Sequence, residues 1–541
     1  MSSKKVIGLD YGTLSARAVI LDTQTGEMCG TAHYDYPHGV MEDALPSGKK
    51  LPDFYALADP KDYRDALIYC VQGAIKDGNI DPNDIVGIGI DATTYTMITC
   101  DEQGRGMCEH DEYKDEPMAY IKMWKHHAPF DQADRLQKIH EKEGAFPGVD
   151  ACGGTVNCEW SIPKILETYE LAPKLFNDTY RFCNLGEWLV KLLTGEFIND
   201  IHTLGFKSMW TPEHGVPADE AFDAAAPGFA AGLKEKFWGE PKPYDVPCAY
   251  VSKEAAELLG IPEGIPVASP VGDGSMTAIF FCLSQPNAVA ITQGTSLAIA
   301  FFTEQFKELH GVNGAVAGGM FPGLCGWDAG QPCTGDMFDW FMKNQLPSSA
   351  HDAAKAAGMN PHAYLSKLAQ ENKPYNNELT VLDWFNGNRG ILNDQDVRGV
   401  VAGMSLNTRP QDIYCALLQG VSCGTRKILD YLADNDVNFE KIIVCGGVAL
   451  KNRFSLQQFA NIMQRPVYLS DAQDITARSS GILGAIVSGI PAEVAVANMA
   501  NVRYEKIEPD TDHASEYERI YKRWCLYHDA CAEVQRKAKN L

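Results

Sequence analysis

Two stretches of this chain set glycine and hydroxyl side chains at the end of an apolar run, the pattern of a turn that can meet phosphate. In the first, Val6 to Asp22, the residues read as a strand, a tight turn on Gly12 and a second strand returning antiparallel. Gly12 lets backbone approach an anion, and the hydroxyls of Thr13 and Ser15 and the turn amides can donate to its oxygens. Asp10 faces the same space and suits a hydrated Mg2+, which prefers carboxylate plus water. The second stretch, Ala288 to Ala300, again reads as strand, Gly294-Thr295-Ser296 turn and strand, about 280 residues later. That recurrence predicts two similar half-structures facing each other. A glycine pair, Gly446-Gly447, follows the buried strand Lys441 to Cys445 and would let a flat group such as adenine or ribose lie close to backbone. Asp273 stands between Gly272 and Gly274 in a turn at the end of another apolar strand, where an aspartate commonly bonds its own backbone.

The elements that must hold these groups are legible in outline. Glu27 to Tyr34 completes a three-strand meander, 37–60 is a long loop rich in Pro, Gly and Asp, and Lys61 to Lys76 has helical spacing of apolar residues. Ile85 to Asp91 is a buried strand, with Tyr95 to Cys100 as the next. The order β-β-β-α-β differs from a dinucleotide-binding unit, where strand and helix alternate from the start. Residues 115–250 read as mostly helical, Phe454 to Met463 as a helix, and Ser515 to Leu541 as a helical tail that packs on a domain or on the partner in a homodimer. A boundary between Leu283 and Asn287 gives domains 1–284 and 285–541.

Composition narrows the class. A chain of 541 residues exceeds one ordinary core, and its net charge of -24 argues against a nucleic-acid partner. Lys4 and Lys5 run straight into the first strand, which leaves no room for a leader, and no stretch reaches the length of a membrane span. The sixteen cysteines contain no C-x-x-C and mostly sit in apolar runs, as small buried hydrophobes of a reduced, cytoplasmic protein.

Several motifs fail. There is no G-x-x-x-x-G-K-[ST], and Gly87-Ile88-Gly89 lacks a third glycine. Ser161-Ile162-Pro163-Lys164 matches S-x-x-K without its partner motifs. Gly420-Val421-Ser422-Cys423-Gly424 matches G-x-S-x-G, but the helical spacing of Asp412 to Gln419 puts Ser422 inside a helix. His126, His127 and His140 have no H-E-x-x-H context and read as core or surface histidines.

The three glycine turns together resemble the ATP-binding set of the actin/hexokinase/Hsp70 superfamily. Gly399-Val400-Val401-Ala402-Gly403-Met404, followed after seven residues by Asp412 to Gln419, resembles the C-terminal signature of the FGGY carbohydrate kinases, and Gly272-Asp273 resembles the position of their catalytic aspartate. Within that family the likeness is nearest to kinases of L-ribulose. It runs through Tyr36-Pro37-His38, Trp124-Lys125-His126-His127, Glu159-Trp160, Phe206-Lys207-Ser208-Met209-Trp210 and Asp383 to Arg389. The resemblance implies an α/β fold of two actin-like, ribonuclease H-like ATPase domains with a cleft between them. It implies ATP and Mg2+ as cofactors and a small-molecule sugar as substrate, with no nucleic acid and no membrane.

By that resemblance Asp273 is the catalytic base, with Mg2+ near Asp10 and Asp273. Gly12, Thr13, Ser15, Gly294 and Thr295 would meet phosphates, and Gly335, Gly447, Lys451 and Asn452 would line the nucleotide pocket. Thr94, Trp124, Lys207 and Asp328 would meet the sugar. Where those kinases carry Gly-Tyr-Glu-Ala-Gly-Gln, this chain has Gly326-Trp327-Asp328-Ala329-Gly330-Gln331. Asp328 is one methylene shorter, so its reach to a hydroxyl changes by ~1.5 Å, about one C–C bond. The expected reaction is therefore ATP-dependent phosphorylation of a ketopentose, L-ribulose first. D-ribulose, another ketose or a pentitol is the alternative, and a silent sugar- or nucleotide-binding protein the remote one.

Overall fold

The computed structural model describes residues 3–285 and 287–539; Met1 and Ser2 ahead of the first strand, and Pro286 within the expected boundary, lie outside them. Two seven-stranded sheets dominate. The first runs in the order Ala249–Tyr250, Pro266–Val267, Ile85–Ala92, Lys5–Tyr11, Ser15–Asp22 and Met28–Asp35, with Val271–Gly272 also paired to Ile85–Ala92. The second runs Gly314–Ala317, Cys325–Gln331, Leu297–Thr303, Ala288–Gln293, Lys441–Cys445, Val467–Ser470 and Tyr504–Ile507. In each, the opening hairpin is antiparallel and its first strand pairs in parallel on the other side, Lys5–Tyr11 with Ile85–Ala92 and Ala288–Gln293 with Lys441–Cys445. The central strands are covered on both faces, which is why Val6, Ile7, Leu9, Ile88 and Ile90 are fully buried and read as continuous apolar runs.

The two halves exchange helices. Met276–Cys282 closes the first half but packs against Ala288–Gln293 and Leu297–Thr303 of the second sheet. Ile475–Val487 belongs to the second half but lies on Lys5–Tyr11 and Ile85–Ala92 of the first. Backbone meets backbone there. A Cβ on Gly8 would stand 1.8 Å from the Ala477 carbonyl oxygen, and one on Gly89 the same distance from that of Ser480. Only glycine permits that approach.

Inserted in sequence between Ile85–Ala92 and Ala249–Tyr250 of the first sheet, the helices packed around Phe146, Trp160, Phe222, Phe229 and Trp238 form a separate apolar cluster. This region is less helical than the sequence suggests. Leu57–Ala58, Ile121–Lys122, Met97–Cys100 and Arg181–Asn184 build a four-stranded sheet from strands too short to show a period. The strand expected from Tyr95 starts only at Met97, because Thr94 and Tyr95 turn, with Tyr95 left-handed at φ 64°. The tail helix, Ala514–Lys539, lies on the second half of its own chain, where Trp524 Nε1 donates to the Val381 carbonyl at 2.8 Å. Ser422 lies inside the helix Pro410–Asp434 with its hydroxyl on the Leu418 carbonyl, so it is no nucleophile elbow. His126 is fully buried against Glu167, and His140 bonds Asp150. All sixteen cysteines are free thiols. Among the described residues no helix is long and apolar enough to cross a membrane.

Candidate active site

Three parallel strands bring three carboxylates to one edge. In the register of the first sheet Asp10 lies opposite Asp91, and Asp91 opposite Val271, two residues before Asp273. The carboxyl ends of parallel strands are where α/β sheets bind ligands. Asp91 is fully buried; burial and the neighbouring Asp10 push its acid well above the usual carboxylate range, and Ser480 donates to its Oδ2 at 2.7 Å. Asp10 Oδ2 accepts the Thr476 hydroxyl at 2.6 Å and forms an ion pair with the Arg17 guanidinium, whose Nε lies 3.2 Å away. Thr476 and Ser480 come from the exchanged helix, so the second half completes the acidic edge of the first.

Asp273 is half-buried and opens the short turn Asp273–Ser275. Burial and the charge of Asp10 push its carboxyl up to about 7, while the backbone N–H groups of Gly274 and Thr94 pull the other way. Thr94 is seated on Gly272, where a Cβ would come within 2.2 Å of its hydroxyl. The side chain of His202 fills the other side, with Nε2 2.9 Å from the Ser275 hydroxyl. Burial and Lys207 lower His202 to about 3, so it is neutral at working pH.

The two hydroxyl turns close alike. The Gly12 N–H donates to the Ser15 carbonyl at 3.0 Å, and the Gly294 N–H to the Ser296 carbonyl at 2.9 Å. Trp124 Nε1, expected at the sugar, donates to the Thr13 hydroxyl at 3.1 Å and so also braces the first hydroxyl turn. The second turn sits on the start of the helix Gly335–Asn344, with the Thr334 N–H on the Thr295 carbonyl and the Gly335 N–H on that of Gly294. A Cβ on Gly335 would stand 2.8 Å from the Gly294 oxygen. Gly446, at φ 96°, crosses Gln293, and Gly447 opens the helix Gly447–Lys451 with nothing within 4 Å of where its Cβ would be. That empty flank of backbone is a surface on which a planar group can lie. Lys451 is exposed at the helix end. Asn452 spends its amide elsewhere: Oδ1 caps Arg453–Met463 through the Ser455 N–H and Nδ2 donates to the Tyr414 hydroxyl.

A cluster of charged groups lies within electrostatic range of Asp273 through Asp328. Lys207 ends the helix Ile201–Lys207 and is only 6% exposed, with Nζ 5.1 Å from the Tyr95 ring centre and 5.5 Å from that of Trp160. Burial lowers its pKa, opposed by Cys152 and Asp328. Asp328, on Cys325–Gln331, accepts from Asn313 Nδ2 at 3.2 Å; burial raises its pKa and Lys207 draws it back. Arg389 of the second half reaches Glu159 of the first, 3.4 Å to each carboxylate oxygen, and His127 Nε2 lies 3.0 Å from Oε1. Burial would raise Glu159, yet Arg389 and His127 carry it down to about 2.

Asp10, Thr94 and Asp273 are thus gathered at one edge, Lys207 and Asp328 at another, and Gly294, Gly335 and Gly447 around the second turn. Asp91, Arg17, Thr476, Ser480, Glu159, His202 and Arg389 escaped the sequence reading of the site. The acidic edge suits a hydrated divalent cation on its donor chemistry: burial and the charge of Asp10 push both Asp91 and Asp273 upward, though the three carboxylates do not close on a single inner coordination sphere.

This architecture is that of known sugar kinases. The models of the N-terminal and C-terminal domains of the FGGY family of carbohydrate kinases match residues 5–280 and 289–489. Ribulokinases of Halalkalibacterium halodurans and Geobacillus thermodenitrificans are each 33% identical over 537 residues, 98% of this chain and 95% of theirs. Among solved structures, the xylulose kinase of Rhodospirillum rubrum superposes with a TM-score of 0.79 at 21% identity, covering 98% of this chain and 100% of that one. Plasmodium falciparum glycerol kinase with ADP gives 0.72 at 16% identity, covering 96% and 98%. The chain belongs to the FGGY family of carbohydrate kinases, with the actin-like ATPase fold. It is an ATP-using sugar phosphotransferase.

Proposed function

We propose that the protein transfers the γ-phosphoryl group of ATP to a ketopentose, L-ribulose, giving the 5-phosphate, with Asp273 as general base. The observation that carries this is the placement of Asp273, a half-buried carboxyl at the strand end beside Asp10 and Asp91, with Oδ1 on the Gly274 N–H at 2.8 Å and its acid pushed up to about 7. A base of that pKa is matched to a proton removed near neutral pH. A sugar hydroxyl is a poor nucleophile, and phosphoryl transfer needs placement and charge neutralisation more than covalent help. Asp273 takes the hydroxyl proton as the oxygen attacks phosphorus. The turn amides and hydroxyls at Gly12, Thr13, Ser15, Gly294 and Thr295 receive phosphate charge, and Gly335, Gly447, Lys451 and Asn452 border the nucleotide. Asp10 and Asp273 would hold Mg2+, which supplies charge neutralisation when bound. Lys207, Thr94 and Asp328 fix the sugar, Trp124 supports Thr13, and the halves 1–284 and 285–541 act as the two jaws in a cytoplasmic enzyme.

The choice of L-ribulose is supported by the ribulokinases that share a third of this sequence over nearly its full length. Asp328 in place of a longer carboxylate favours a second reading, in which the acceptor is D-ribulose, another ketose or a pentitol. Purified protein with ATP, Mg2+ and a panel of these acceptors, read by ADP release, decides between them. L-ribulose should give the highest kcat/KM; absence of sugar-dependent release across the panel would remove the kinase assignment. Asp273→Asn should lower kcat by about 10² to 10⁴ while ATP still binds.

A further inference from the structure

Lys164 lies in the first turn of the helix Ser161–Leu171, with 1% of its surface exposed. It belongs to the S-x-x-K match that led nowhere as a nucleophile motif. A buried amine is costly unless it is well bonded. Its Nζ donates to two backbone carbonyls, Tyr95 at 2.6 Å and Met123 at 2.8 Å. Burial draws the group down to about 7, with Glu159 and Cys158 opposing.

What hangs on those carbonyls gives the bonds their meaning. Tyr95 is held left-handed, a backbone state that a bulky aromatic residue adopts only under constraint. Its neighbour Thr94 packs its hydroxyl on Gly272, the residue before Asp273, and the Tyr95 ring stands over Lys207. Met123 precedes Trp124, whose indole holds the Thr13 hydroxyl. One amine therefore ties the turn that aims the base to the segment that props the first phosphate turn. A matched lysine exists far from the site: Lys236, also buried, donates to the carbonyls of Asn177 and Thr179 at 3.1 and 2.6 Å.

We propose that Lys164 is a positioning residue for phosphoryl transfer, clamping Tyr95 and Met123 so that Asp273 and Thr13 converge on the same transferring group. The inference rests on Asp273 being the base. A displacement of ~1 Å at such a pair costs about 10² in rate. Lys164→Met should therefore lose about 10² in kcat with KM for ATP and sugar within about threefold, whereas Lys236→Met should stay within about threefold of the parent in all three. In Lys164→Ala, ethylamine should restore kcat at least tenfold by occupying the vacated volume, a readout taken within one preparation and independent of its folded fraction. Lys164→Met turning over as fast as Lys236→Met, or no recovery with ethylamine, would overturn the proposal. Asp273→Asn assayed alongside separates the two ideas. Full activity there removes the base itself, while an inactive Asp273→Asn beside a fast Lys164→Met removes only the clamp.

Discussion

Replacing Asp383 by asparagine should stabilise this protein, and by an amount that depends on pH. Asp383 follows the strand Thr380–Leu382, is 2% exposed and receives the Gln331 Nε2 at 2.5 Å, while the Thr425 hydroxyl donates to the same Gln331 at 2.6 Å. Burial pushes its carboxyl from 3.8 up to about 7, with the Gln331 bond pulling weakly the other way. The folded protein thus keeps a proton that the unfolded chain releases above about pH 4. The stability this group contributes is full below that pH, drains away as pH rises to about 7 and is flat beyond. Roughly three pH units at about 1.4 kcal/mol each make the loss ~4 kcal/mol at pH 8. Asparagine offers Gln331 an acceptor and never ionises. Urea unfolding of parent and Asp383→Asn between pH 4.5 and 8, followed by fluorescence of the adjacent buried Trp384, measures this directly. The variant's advantage should approach ~4 kcal/mol at pH 8 and vanish toward pH 4. Midpoints that run parallel across the range would show that Asp383 is not held neutral by its surroundings.

Three further outcomes follow from the geometry. Gly89→Ala puts a methyl 1.8 Å from the Ser480 carbonyl, so the helix Ile475–Val487 must lift by more than 1 Å. It should cost about 3 kcal/mol or more and loosen the Ser480 and Thr476 bonds to Asp91 and Asp10, visible as a lower unfolding midpoint and reduced kcat. Asp328→Glu should shift relative kcat/KM across the sugar panel by about tenfold, and unchanged ratios would mean that Asp328 does not read the sugar. In the metal-free protein the Asp273 carboxyl should titrate near 7, and Mg2+ should pull that midpoint down; a carboxyl NMR titration that puts it below about 5 without metal would show that its surroundings do not hold it up.

The parts of the site that are local in sequence were legible, because turn chemistry is local. Gly12 to Ser15, Gly294 to Ser296 and Gly446-Gly447 declare themselves by residue type. Asp91 did not, since a carboxylate ending an apolar strand looks ordinary until the sheet sets it in register with Asp10. Glu159 and Arg389 are 230 residues apart, and only the packing of the second half against the first makes them a pair. Lys207 read equally as a solvated surface residue until burial decided it. The bond of Trp124 to Thr13 was not legible, because their proximity is set by a loop that carries no periodic signal.

The exchanged helix also fixes an order of events during synthesis. The strands around Gly8, Gly87 and Gly89 are made early, but the helix that covers them, Ile475–Val487, follows the end of the first half by roughly two hundred residues. At about 5–20 residues per second that is on the order of 10–40 s of translation. Throughout that interval a sheet face lined with backbone rather than side chains waits on the ribosome without its cover. The native surface of the first half of this kinase is complete only once nearly all of the chain has emerged.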